Sequence, residues 1–229
     1  VLVTAAGYMI NDYYDVKIDY INRPNTVVVG KGIKRRVILV LHSLFNFIAV
    51  GLGWAVAPRI AALIFFAGVL LWWYCNRLKR KPFIGNVAVA FLTGLSIYLV
   101  GYYYQKNELF VFTYALFAFF LNLIRELLKD LEDRHGDQLH GSKTLPIVLG
   151  FRKTKQVIYS IAITFVGAIL TVSFQLNHAH LYYYFGSLGL IFCWFMWLIY
   201  RADRREQFTQ LSAFAKAIML VGTLSMAFL

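Results

Sequence analysis

Apolar residues in this chain run in long blocks, with none of the short alternation of a half-buried strand. Seven blocks, at 37–57, 60–75, 84–104, 109–124, 157–176, 181–200 and 211–229, approach the roughly 20 residues that a helix needs to cross hydrocarbon. An eighth, at 1–10, has half that length, which predicts that part of this helix, and a whole helix before it, precede Val1. No basic stretch or cleavage site makes the first block a secretory signal. The pattern predicts an all-α polytopic membrane protein with eight transmembrane helices in residues 1–229, forming one domain.

Composition strengthens this reading. The chain is 60% hydrophobic and only 15% charged, against about 25% charged in a typical soluble domain. Cys75 and Cys193 fall in or at the end of apolar blocks, far apart, and form no disulfide or metal pattern. The net charge of +12 suggests nucleic acid until the basic residues are placed. Twenty of the 23 Lys and Arg lie in odd-numbered connections and two, Arg59 and Lys106, in even ones. Such alternation is the positive-inside pattern of a chain that crosses at every block. It puts the odd connections in the cytoplasm of a multi-pass inner-membrane protein, leaves some affinity for anionic membrane lipids, and removes the case for nucleic acid.

The 11 acidic residues are gathered more tightly. Asp12, Asp15 and Asp19 are spaced i, i+3, i+7, with Asn11 beside them; Glu126, Asp130, Asp133 and Asp137 are spaced i, i+4, i+7, i+11, with Glu132 among them. Helical residues three or four apart share a face, so each set forms an acidic stripe, provided the second helix runs past residue 136. Both stripes sit at cytoplasmic C-terminal helix ends, where the macrodipole disfavours negative charge and the nearby bilayer makes unpartnered carboxylates costly. Mg²⁺ would relieve that repulsion, since it is commonly held by one or two carboxylates plus substrate phosphate and water. Cations complete the pattern. "NRLKRKPFIGN" (76–86) carries Lys79 and Lys81, and "GSKTLP" (141–146) carries Lys143, all placed to meet a diphosphate. Lys34, Arg35 and Arg36 read as topology, and His135, His140, His178 and His180 as solvated loop positions.

These residues resemble a known family. "NDYYDVKID" (11–19) is similar to the N-D-x-x-D-x-x-x-D motif of the UbiA superfamily of intramembrane prenyltransferases. "KDLEDRHGD" (129–137) with "GSKTLPIVLG" (141–150) resembles its second Asp-rich motif and following loop, and "KRKPFIGNVAVA" (79–90) its basic connection. The resemblance implies a nine-helix bundle with the first motif on the second helix, so that eight helices are present here. It implies Mg²⁺–diphosphate binding by Asp12, Asp15, Asp19, Asp130, Asp133 and Asp137, of which Asp12, Asp15, Asp133 and Asp137 are the catalytic candidates. Asn11, Lys79, Lys81, Lys143 and Arg23 are the substrate-binding candidates. The second motif is most like the geranylgeranylglycerylphosphate geranylgeranyltransferase branch, which implies a prenyl diphosphate donor and a glycerol-phosphate ether lipid acceptor. The stretch "NRPNTVVVGKG" (22–32) keeps Arg23 and Pro24 of the family's Arg-Pro motif but lacks its second Pro. An aromatic acceptor, a hydroxybenzoate or naphthoate, stays open beside the lipid.

Mg²⁺ and cations would offset charge on the leaving diphosphate, and aromatic faces would line the allylic cation. Tyr13, Tyr14, Tyr74, Tyr98 and Phe91 are the candidates for that wall. A secondary transporter is the rival from another class. Transporter sites lie near the bilayer midplane on interrupted helices, whereas these carboxylates gather at one interface and the motifs show no inverted repeat.

Overall fold

A computed structural model describes residues 1–22, 25, 27–105, 107–176 and 179–226. Among these the chain is helical with no strand. The helices are α1 (Leu2–Asn22), α2 (Arg35–Val56), α3 (Pro58–Asn76), α4 (Ile84–Tyr104), α5 (Glu108–Leu139), the single turn α6 (Leu145–Val148), α7 (Phe151–Leu176), α8 (Ala179–Arg201) and α9 (Arg205–Ser225). A 3-10 turn over Leu78–Arg80 separates α3 from α4. The eight long helices follow the eight apolar blocks. Among the described residues five of them, α2, α3, α4, α5 and α7, contain a stretch long and apolar enough to cross a membrane. The first block is extended by the acidic stripe into one helix of 21 residues. Likewise α5 does not stop where its apolar run ends but continues to Leu139, carrying the second stripe.

Exposed surfaces are apolar, as lipid contact requires. Phe47, Ile163, Leu190 and Trp54 stand exposed on their helices. α5 is the exception, with 72% of its apolar stretch buried against 17–28% for the other four.

Two compact units divide the chain. The first comprises Val1–Gly85 with His135–Lys143, in which α1, α2 and α3 pack on one another and the 3-10 turn packs on α3. Small residues permit the close approach. A Cβ on Gly53 would lie 2.7 Å from Ile64 Cδ1, and one on Gly68 2.6 Å from Asn46 Oδ1. His42 Nδ1 is 2.9 Å from the Ala6 carbonyl, a polar tie between α2 and α1 of the kind that joins helices in lipid.

The second unit comprises Asn86–Arg134 with Thr144–Leu229. Here a Cβ on Gly94 of α4 would come within 2.9 Å of the Ala115 carbonyl of α5, and Asn122 donates to Thr93 Oγ1 at 2.9 Å between the same helices. Phe117, Phe120, Phe165 and Phe192 stack edge to face or tilted, with centroids 5.2–5.8 Å apart. Buried Lys155 of α7 donates to the Tyr200 and Ala202 carbonyls at the end of α8 and to Asp203. It thereby satisfies acceptors that the helix end leaves open, at the pole where a cation is favoured.

The contact at Gly94 sets a test of this packing. Gly94→Ala meets backbone that cannot rotate away, and overpacking of this kind costs about 1–3 kcal/mol. Gly167→Ala, with nothing within 4 Å of the new methyl, is expected to be neutral or slightly stabilising. Thermal unfolding of both variants in detergent should show a lowered midpoint for the first alone.

Candidate active site

The first acidic stripe lies on the last three turns of α1, and the structure ranks its members. Ala6, Gly7 and Ile10 are buried in the first turns of the helix, and of the stripe Asp15 is buried, at 5% exposure. Asp19 and Asn11 are half-buried, and Asp12 is exposed at the stripe's edge. A carboxylate buried at this depth needs a partner, and it has one. Lys79, on the 3-10 turn after α3, donates to Asp15 Oδ2 and to Asn11 Oδ1, the second at 3.2 Å. Sequence reading offered four cations in this connection; the fold turns one of them inward.

Why Lys79 is the one follows from local geometry. A Cβ on Gly85 would lie 2.7 Å from the Leu78 carbonyl and 3.1 Å from Lys79 Cα, so only glycine lets the start of α4 pass so close to the turn. Phe83, between them, is held at φ 67, a left-handed conformation that costs a non-glycine residue on the order of 1–3 kcal/mol and gathers at functional sites. Leu78 is buried as an anchor, while Arg77, Arg80 and Lys81 stay exposed. The Lys143 amide donates to the Arg80 carbonyl at 2.9 Å, and the Ser142 amide to the Asp137 carbonyl at 3.0 Å. The loop after α5 is thus fastened to the basic turn, although the Lys143 side chain itself is exposed.

Asp137, buried at the end of α5, acts on the same ammonium. Burial alone would lower the Lys79 pKa, but the adjacent, hydrogen-bonded Asp15 carboxylate and the field of Asp137 outweigh it and hold it above its ordinary value. Cys75 lies within electrostatic reach of Lys79, Asp15 and Asp12, a neighbour that an isolated thiol in an apolar block gave no reason to expect.

In the second unit, Asn86 donates to Asp130 Oδ2 at 2.9 Å, holding that carboxylate from the first turn of α4. Asn86 was legible only as the residue closing the basic connection. Asp133 is half-buried one turn further along α5. Arg23 lies outside the described residues, as does His178. Of the aromatic candidates, Tyr13 and Tyr14 pack edge to face at 5.2 Å, and Tyr13 also carries the Arg35 guanidinium 4.4 Å above its ring. Arg35 therefore has a structural contact beyond its part in topology, and it also donates to the Tyr13 carbonyl. Tyr98 packs on Phe112 at 6.2 Å, and Phe91 is exposed.

The donor set suits Mg²⁺. Every stripe ligand is a hard oxygen, and among the described residues no three His, Cys, Asp or Glu side chains converge into a ready-made cage. A cation held by one or two carboxylates per ion, with phosphate and water completing its octahedron, needs no such cage.

The Lys79–Asp15 pair should be measurable as stability. Replacing Lys79 with Met leaves a buried carboxylate without its donor, a loss of about 1–3 kcal/mol. Because the ammonium pKa is raised on folding, its stabilisation is complete below the ordinary lysine value of 10.5 and fades as pH rises through the higher folded value. The stability gap between wild type and Lys79→Met is expected to be flat from neutral pH to about pH 10 and to shrink above it; no gap at neutral pH would contradict the assignment.

Comparison with known proteins speaks to the fold and the family. The UbiA prenyltransferase family model matches residues 1–221. The digeranylgeranylglyceryl phosphate synthase of Methanosphaera stadtmanae is 30% identical over 229 residues, covering 99% of this chain and 83% of that protein. A solved digeranylgeranylglyceryl phosphate synthase structure superposes with a TM-score of 0.76 at 24% identity, covering 98% of this chain and 80% of the other. A UbiA homolog from Archaeoglobus fulgidus bound to DMAPP and Mg²⁺ gives 0.67 at 16%, covering 96% and 83%. At these identities the two structures speak for the fold. The transporter alternative gives way to an enzyme: this chain, an integral multi-pass membrane protein, belongs to the UbiA prenyltransferase family.

Proposed function

We propose that this protein transfers a polyprenyl group from its diphosphate to the hydroxyl of a glycerol-phosphate ether lipid, on the cytoplasmic side of the cell membrane. The observation that carries the proposal is the cluster of half-buried Asn11 and Lys79 around buried Asp15, within reach of Asp137. It brings a carboxylate of each motif within electrostatic reach of one cation. The synthase name of the Methanosphaera stadtmanae relative supports the choice of acceptor.

The residues divide the work by chemistry. Asp12, Asp15 and Asp19, with Asp130, Asp133 and Asp137, are the oxygen ligands for Mg²⁺ on the diphosphate. The bound ion supplies charge neutralisation on the leaving group. Lys79 holds Asp15 in position and keeps a full positive charge at neutral pH, so it stabilises the same developing negative charge. Asn86 fixes the rotamer of Asp130. Lys81 and Lys143, both exposed cations on segments fastened to that turn, are suited to the outer diphosphate oxygens. Arg23 is assigned to the acceptor's own phosphate. The apolar spans around the site take up the prenyl tail, at about 0.8 kcal/mol for each buried CH₂.

Two outcomes test this. EDTA is expected to stop prenyl transfer by purified protein, and Mg²⁺ to restore it; full turnover in metal-free buffer would refute the role given to the carboxylates. Presented with labelled geranylgeranyl diphosphate and a panel of acceptors, the protein is expected to alkylate the hydroxyl of a glycerol-phosphate lipid. Product formed only on a hydroxybenzoate or naphthoate ring would replace the ether-lipid assignment with the quinone-type one.

A further inference from the structure

The second stripe begins one turn before its metal-binding aspartates, with Glu126. At 1.5 Å per residue, Glu126 lies about 27 Å along α5 from Glu108, inside a hydrocarbon layer of about 30 Å, while Asp130 to Asp137 lie beyond that depth. Glu126 shares their helical face by its i, i+4, i+7 spacing and is 7% exposed. Its carboxylate accepts from Arg125 Nη1 at 2.5 Å, and the same nitrogen reaches Asn122 Oδ1 at 3.4 Å. Arg125 Nε is buried and donates to no group among the described residues.

A structural role explains this pair poorly. Arg125 and Glu126 are sequence neighbours on one helix, so their ion pair ties no second element to α5. The tie to α4 is already made by Asn122 and Thr93. Burying two charges is costly, and ionisable groups at membrane depth are functional by default.

We propose that Glu126 is the general base that takes the proton of an alcohol acceptor, with Arg125 holding its carboxylate in place. This rests on the reading above, in which the acceptor is a hydroxyl. The prenyl C1 lies on the tail side of its diphosphate, and Glu126 lies on the tail side of the aspartates by about 6 Å along the helix. In the step, the acceptor O–H bond breaks and its proton goes to Glu126 Oε. The oxygen lone pair forms the new C–O bond to the allylic carbon, and the old C–O bond breaks with its electron pair leaving on the diphosphate. The buried aspartates are less suited to the proton, because bound metal draws on the same lone pairs.

The test uses purified full-length chain with Mg²⁺, geranylgeranyl diphosphate and a glycerol-phosphate lipid alcohol. Glu126→Gln keeps an acceptor for the Arg125 donor, and is expected to lose at least 100-fold in kcat with the KM for donor within twofold of wild type. Glu126→Ala is expected to regain turnover with added formate, in proportion to its concentration, as a merely structural carboxylate would not. Glu126→Gln retaining kcat within threefold of wild type, or Glu126→Ala inactive and unresponsive to formate while still binding donor, overturns the assignment alone. Wild-type protein that alkylates no alcohol overturns it together with the proposed function.

Discussion

Hydrocarbon offers a polar group nothing to bond to, and that constraint organises this molecule at two scales. For the backbone it leaves helices as the one way to satisfy every amide within a segment, and the described residues fold accordingly. For side chains it requires each charge near the apolar layer to find a partner within reach. Lys155 finds the open carbonyls at the end of α8, Lys79 finds Asp15, and Arg125 finds Glu126. The first closes a helix end and so belongs to the fold. The other two bring charges where no helix end needs them: one pairs with the first acidic motif, and the other lies just before the second.

Close packing around these pairs is achieved by subtraction. Gly53, Gly68, Gly85 and Gly94 sit where a methyl group would strike a neighbouring helix or turn. Without a hydrophobic force between helices in lipid, dispersion at such contacts is what holds them. At Gly85 the same device serves chemistry, because the backbone it admits belongs to the turn that delivers Lys79. The left-handed Phe83 beside it is strain that the surrounding contacts must outweigh. α5 carries the heaviest share of both duties. Its apolar length is the most buried of the five long apolar spans among the described residues, and its last turns bear the acidic motif.

The surplus of positive charge looks at first like an excess the carboxylates cannot explain. Most of it belongs to the positive-inside pattern of the odd connections, in which Arg77, Arg80 and Lys81 stay exposed. Lys79 differs only in being turned inward, where two carboxylates keep it charged against the effect of burial. An ammonium so held cannot act as a base at neutral pH, which restricts it to electrostatic work.

The spans and the acidic stripes were legible from residue order, because a 3.6-residue period and a hydrocarbon-length run are local properties of a chain. So was the continuation of α5 through the second stripe, since the spacing of Asp130, Asp133 and Asp137 makes sense only on a helix. Local pattern could not rank Asp12, Asp15 and Asp19, whose burial depends on which way α1 rolls against α2 and α3. Nor could it choose Lys79 from its neighbours, because the partner, Asp15, lies 64 residues earlier and the choice turns on the space left by Gly85. Asn86 and Cys75 carried no signal until Asp130 and Lys79 were beside them. Periodicity assigns a residue to a face, but only the tertiary structure decides what that face meets, and partnering in a dry interior sets the charge and chemistry of the group.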